Sequence, residues 1–374
     1  MRTVRTTLVA VTAVVLSAAL AAPAFAAPRG HGDHAATREA IEAAVKDGVP
    51  GVTVTAGNWS ATAGVGNLRT GAPRSADDRY RIGSITKTFV STVLLQLEAE
   101  GRLSLDDTVD TWLPGVVRGN GHDGSKITLR QLLNHTSGIY NYTEDKAFVR
   151  TYFTADGFFK HRYDTRSPRD LVAIAMTHEP EFTPGAKWQY SNTNYILAGM
   201  VIEKVTGAPY GEEIRRRIIA PLGLHATSVP GTRATVPQPS SRAYSKLAET
   251  TTGPTYDVTK LNPSLAGSAG EMISDSKDLN RFYAALLKGR LLPPEQLKEM
   301  KTTVPTGGPG QYGLGIAGVP LSCGLRVWGH DGGIHGSQTV ALTSGDGRHS
   351  VAFNFNGDWS GDAVAVAEAE FCGE

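Results

Sequence analysis

The chain has 374 residues, with 37 basic against 36 acidic side chains, a formal charge of +1 and only two cysteines. A near-neutral chain offers no electrostatic footprint for nucleic acid or an anionic membrane surface, so neither is expected as a partner. Two distant cysteines and no histidine cluster at ligand spacing argue against metal chemistry, and no metal or cofactor is expected.

At the N-terminus, Arg2 and Arg5 precede an apolar run from Leu8 to Leu20, and Ala24-Phe25-Ala26 is an A-x-A cleavage pattern. This predicts a secretory signal peptide over residues 1–26. Its removal leaves 348 residues with 35 basic and 36 acidic side chains, a net charge of −1. No cysteine follows the apolar run to carry a lipid, and no second long apolar segment predicts a membrane span. The expected product is soluble, secreted and monomeric. His31 and His34 fall in a polar stretch read as a tail rather than a metal pair.

A helix is predicted over about 36–45, then β-like segments over 52–56 and 60–65. Next comes Gly83-Ser84-Ile85-Thr86-Lys87, where Ser84 and Lys87 are three residues apart at the start of a helix and share a face. A serine hydroxyl beside a lysine amine is a nucleophile beside a base. Phe89, Val90, Val93, Leu94 and Leu97 recur at helical spacing up to Gly101, which predicts a helix buried on one side with Ser84 at its N-terminus, where the dipole favours a developing negative charge. Taken alone, the tetrad favours the plainer reading of a helix cap followed by a solvated lysine.

From about 86 to 264, helical patterns and polar loops dominate. Tyr190-Ser191-Asn192 lies in a polar turn before a helical run closed by Gly207, and residues 230–263 read as a long surface loop with room for a short hairpin. Toward the C-terminus, a β-like segment over 325–328 leads through His330-Asp331-Gly332 into a glycine-rich turn. Strands over 339–342 and 351–355 flank Ser344-Gly345-Asp346-Gly347, and a helix is predicted over 362–371. The two ends of the chain are expected to share one antiparallel sheet with helices packed on it.

A Ser-x-x-Lys element, a Tyr-x-Asn element and a basic-x-Gly triplet, in this order about one hundred residues apart, resemble the ordered signature of the serine β-lactamase and penicillin-binding-protein superfamily. The phenol in the second motif and histidine in the third look most like secreted D-alanyl-D-alanine carboxypeptidases and related D-stereospecific hydrolases. Supporting stretches are Tyr80-Arg81-Ile82-Gly83, Leu132 to Gly138, Pro221-Leu222-Gly223-Leu224 and Gln311 to Gly315.

The resemblance implies an α/β fold of the α+β type, an antiparallel sheet flanked by helices plus an all-helical subdomain, with the active site between them. The implied division is a sheet subdomain of about 27–85 and 265–374 and a helical subdomain of about 86–264, within one hydrolase domain over 27–374. The expected activity is acyl-enzyme hydrolysis of D-configured peptides, the partner a small peptide or peptidoglycan stem, with β-lactams as covalent ligands. An esterase, an amidase or D-aminopeptidase, a weak β-lactamase and a non-hydrolytic penicillin-binding module are the alternatives.

In this reading Ser84 attacks the carbonyl, and either Lys87 or Tyr190 is the base. Asn192 holds the substrate amide and the lysine, and His330 relays a proton or orients the tyrosine. The oxyanion hole implied by the resemblance is the N–H of Ser84 and of Gly333. Asp331, Gly332, Gly333 and Tyr142 are the candidate substrate-binding residues. Cys323 and Cys372 are expected to pair as a disulfide in an oxidising compartment, at a gain of roughly 4 kcal/mol.

Asp331 departs from the pattern, since carboxypeptidases of this kind bind the substrate carboxylate with hydroxyl or cationic side chains there. A carboxylate facing the pocket would repel that group and suit an amine, amide or ester, whereas one capping the Gly332-Gly333 turn would have no such effect.

Overall fold

The computed structural model describes residues 34–247 and 252–373. The predicted signal peptide, His31 and residues 248–251 of the long loop lie outside the described residues. Helix α1 (Ala35–Lys46) leads into β1 (Gly51–Ala56) and β2 (Trp59–Gly64). Further along the chain lie α2 (Thr86–Ala99) and α3 (Leu129–Leu133). They are followed by α4 (Asn192–Thr206) and α5 (Ser276–Leu287). The remaining strands are β3 (Val304–Pro305), β4 (Gln311–Tyr312), β5 (Ala317–Pro320), β6 (Arg326–Ile334), β7 (Ser337–Ser344) and β8 (Ser350–Phe355), before α6 (Ala363–Cys372).

These eight strands form one antiparallel sheet in the order β2-β1-β8-β7-β6-β5-β4-β3, so the first strand pairs with the last, Val54 opposite Phe353. Alternation along the central strands supplies a different core on each face. Val52, Val54, Val351, Phe353 and Phe355 pack with Ile41 of α1 and Val366 of α6. On the opposite face Ala341 and Ala352 meet Leu279, Phe282 and Tyr283 of α5, in a core continuous with the helical part of the molecule. The disulfide between Cys323 and Cys372 ties the turn between β5 and β6 to the end of α6. His34, expected in a tail, stacks on Trp59 and bonds the buried carboxylate of Glu370.

Two elements differ from expectation. Helix α2 is buried almost all round rather than on one side, because it runs between the sheet and the other helices. Its polar side chains find internal partners: Thr88 donates to Gly315 O, Thr92 to Thr88 O, and Ser91 meets the Tyr195 hydroxyl. The second difference is that His330-Asp331-Gly332-Gly333 is not followed by a turn at its glycines. All four residues lie within β6, with Gly332 opposite Thr339 and Gly333 opposite Gln338.

Candidate active site

The site forms where the turn before α2 meets β6. Gly83–Ile85 make a single 3₁₀ turn, with Gly83 at φ +50°. A Cβ there would sit 2.7 Å from Gly333 N, so both the left-handed backbone and the close approach require glycine. A Cβ on Gly332 would lie 2.0 Å from Ile82 O and 2.8 Å from Ser84 N. The two glycines thus let strand and turn touch backbone to backbone, which brings the backbones of Ser84 and Gly333 close together. The β5 partner of β6 stops at Gly329, so the edge of β6 from His330 to Ile334 is left beyond that pairing. A Cβ on Gly333 would meet open space.

Ser84 is half-buried in a run of fully buried residues. Lys87, fully buried, places its Nζ 3.0 Å from Ser84 Oγ, 2.8 Å from Asn192 Oδ1 and 2.7 Å from Ala269 O. The amine is held well below the ordinary lysine range, because burial disfavours the ammonium more than Asp331 favours it. A neutral amine has two N–H donors and one lone pair. Asn192 Oδ1 and Ala269 O can only accept, so they take the two donors and leave the lone pair aimed at the Ser84 hydroxyl. The geometry therefore fits an amine that receives the serine proton.

Ser84 is close enough to Tyr190 to influence its hydroxyl, and Lys87 Nζ stands 4.8 Å from the ring centroid. Burial pushes the phenol well above its usual range, Ser84 opposes this, and Asp331 adds to the rise. A neutral Lys87 supplies no positive field to draw the proton from Tyr190, so the phenol is protonated in the resting site. Asn192 begins α4. Its backbone N–H donates to Asn141 Oδ1 at 3.0 Å, and its Nδ2 donates to Thr143 Oγ1 at 3.2 Å.

His330 is buried, with Nε2 2.8 Å from the Tyr312 hydroxyl and Nδ1 against the carbonyl of Asp331. These bonds go to Tyr312 and the backbone rather than to Tyr190, which corrects the expectation that His330 orients the tyrosine directly. Asp331 is not a turn cap: it sits in mid-strand with its side chain 47% exposed, 3.6 Å from His330 Nδ1. Its charge acts on Lys87, Tyr190, Tyr312 and His330.

Tyr142 is not available to a substrate. Its ring is fully buried against Phe148 and its hydroxyl donates to Leu265 O at 2.8 Å. The neighbours Asn141 and Thr143 do the work at that turn instead. Sequence reasoning also missed His135, whose Nδ1 accepts the Ser191 N–H at 3.2 Å and whose ring packs 4.2 Å from that of Tyr190. The available signal was the stretch Leu132 to Gly138, noted for its resemblance and given no task.

A beta-lactamase family model matches residues 36–371. The crystal structure of a D-stereospecific amidohydrolase from Streptomyces sp. is 62% identical in sequence and superposes with a TM-score of 0.88, over 92% of this chain and 100% of that one. A D-amino acid amidase from Ochrobactrum anthropi SV3 is 28% identical with a TM-score of 0.75, over 89% of this chain and 95% of that one. Penicillin-binding protein 4* of Bacillus subtilis (strain 168) is 28% identical over 76% of this chain and 62% of its own length. The chain spans 54%, 62% and 66% of the lengths of three such curated relatives.

Proposed function

Since the chain belongs to the beta-lactamase family, we propose that it is a secreted serine hydrolase that opens D-configured amide bonds through an acyl-enzyme at Ser84. The Ser84 oxygen attacks the substrate carbonyl while its proton passes to Lys87 Nζ, and the carbonyl oxygen takes up negative charge between the Ser84 and Gly333 amides. Collapse of this intermediate breaks the C–N bond, and the proton leaves with the amine by way of Lys87 and the Tyr190 hydroxyl. Water then repeats the sequence on the ester, releasing the acid and restoring Ser84. With the lysine neutral and the phenol protonated at rest, Lys87 is the acylation base in this reading.

The observation that carries the substrate class is the half-exposed Asp331 carboxylate beside the His330 and Tyr190 end of the cleft. Two like charges 4 Å apart repel by about 4 kcal/mol at an effective dielectric near 20. A free C-terminal carboxylate on the leaving group is disfavoured, so the carboxypeptidase reading gives way to an amidase or aminopeptidase reading, with amines, primary amides or uncharged esters on that side. The likeness to a D-stereospecific amidohydrolase and a D-amino acid amidase supports the same choice. β-Lactams, which carry an amide in a strained ring, are proposed to acylate Ser84 as well.

The test is a substrate profile of the purified protein. D-phenylalanine amide and D-amino acid esters are expected to turn over faster than their L-isomers and faster than D-alanyl-D-alanine peptides ending in a free carboxylate. Preference for the free-carboxylate peptides, or undiminished turnover in Ser84→Ala, overturns the proposal.

A further inference from the structure

Tyr312 takes no part in the bond-making steps above, yet it is buried at the centre of the site. Carried by β4, its ring lies 4.9 Å from that of His135, 6.0 Å from Trp188 and edge-on to Tyr190 at 6.4 Å. Its hydroxyl is 2.8 Å from His330 Nε2, and the Tyr195 hydroxyl is near enough to influence it. The bond pattern around His330 is directional. The Asp331 carbonyl can only accept, so Nδ1 carries the proton of the neutral ring, Nε2 is bare, and the Tyr312 hydroxyl donates to it.

We propose that Tyr312 is a positioning residue that acts through His330, its hydroxyl seating the imidazole when neutral and supplying the acceptor that Nε2 needs when the ring takes a second proton. In the neutral state Tyr312 donates. On protonation the bond reverses and the Tyr312 proton turns away from His330 toward the neighbouring Tyr195 oxygen, which donates its own proton to Leu133 O at 2.7 Å and already accepts from Ser91 Oγ at 3.1 Å. The charged and titratable groups that face His330 are Asp331 on its own strand, Lys87 on α2, His135 after α3 and Tyr312 on β4. Asp331 favours the imidazolium, while burial and Lys87 oppose it. A neighbour able to accept from Nε2–H therefore decides how accessible the charged form is. Bonds to a charged donor are roughly twice as strong as neutral ones, so losing the Tyr312 oxygen costs the imidazolium more than the imidazole.

The direct test follows the ring nitrogens of His330 by NMR across pH in the full-length protein labelled with ¹⁵N-histidine, the signal being assigned by its loss in His330→Gln. In Tyr312→Phe the midpoint is expected to fall by about 0.5–1 pH unit, since one unit corresponds to 1.36 kcal/mol. A midpoint that stays put or rises overturns the proposal. If Tyr312→Phe does not fold, a fluorotyrosine at position 312 keeps the ring and hydroxyl but donates better and accepts worse, and the same downward shift is expected.

The kinetic arm rests on the hydrolase reading, whereas the NMR arm does not, so the two fail separately. Tyr312→Phe is expected to lower kcat about tenfold with KM little changed. In a His330→Gln background it should cost nothing further. An additive loss in the double variant would mark Tyr312 as packing only and overturn its action through His330.

Discussion

On the helical wall of the cleft, each polar side chain that meets Ser84 is anchored by partners of its own, whereas the strand wall presents backbone and one half-exposed carboxylate. Lys87 is fixed by Asn192 and Ala269 O, Asn192 by Asn141 and Thr143, and Tyr190 lies against the His135 ring. Across from them, Gly332 and Gly333 contribute no side chains, and Asp331 reaches the solvent-filled side. In the proposed hydrolase the difference separates tasks. Proton transfer needs groups preorganised in a dry setting, where burial itself sets the protonation states. Selection among leaving groups needs a charge in partial contact with water, which a single substitution can change without disturbing the rest.

The largest effects should come from the helical wall. Ser84→Ala removes the nucleophile and Lys87→Ala removes the lone pair that receives its proton, so each is expected to lower kcat by at least about 10⁴-fold. Covalent labelling by a fluorescent penicillin, read by mass spectrometry, should be lost in Ser84→Ala. An adduct at another residue would break the division of the cleft into a chemical and a selecting wall.

Next in size is Tyr190→Phe, expected to lower kcat by about 10²- to 10⁴-fold while acylation by a penicillin is affected less. The strained amide ring makes a protonated leaving group less critical at that step. Equal loss in both assays would place the phenol in acylation itself, beside Lys87.

Much of the helical wall was legible from residue spacing. A serine and a lysine three apart on a helix must share a face, and Tyr190 and Asn192 flank a predicted helix start, so their convergence required only the fold. The protonation state of Lys87 was not legible, because it depends on Ala269 O, delivered from 182 residues away. The strand wall was misread because paired glycines carry the signature of a turn. Here Gly332 is glycine for another reason, since Ile82 O lies where its Cβ would stand, while a Cβ on Gly333 would meet open space. The direction of Asp331 depends on that strand register and was undecidable beforehand. Tyr142 was misassigned for a related reason, since the polar residues on either side of it, not the tyrosine, face Asn192.

On the strand wall the expected effects are smaller and selective. Asp331→Thr exchanges a pocket carboxylate for a hydroxyl, and should raise kcat/KM for peptides with a free C-terminal carboxylate relative to their amides by roughly 5- to 150-fold, the worth of one charge-assisted hydrogen bond. Penicillin labelling of Ser84 should persist. An unchanged carboxylate-to-amide ratio would remove Asp331 from selection and return the carboxypeptidase reading to contention.

The smallest effect tests whether the walls communicate. The Asp331 charge raises the affinity of both Lys87 and His330 for a proton, against the larger opposing influence of burial. Activity requires the neutral amine, so it should be present above the lowered titration of Lys87 and fall as pH drops through it. Asp331→Asn removes the one contribution that pulls this titration upward. The acidic limb of kcat/KM, measured with a neutral ester so that substrate charge does not intervene, should therefore move to lower pH. His330 responds with the same sign, so the direction holds whichever group governs the limb. A shift toward higher pH would mean that the carboxylate does not act on Lys87 through the cleft, and that the selecting wall has no hand in setting the base.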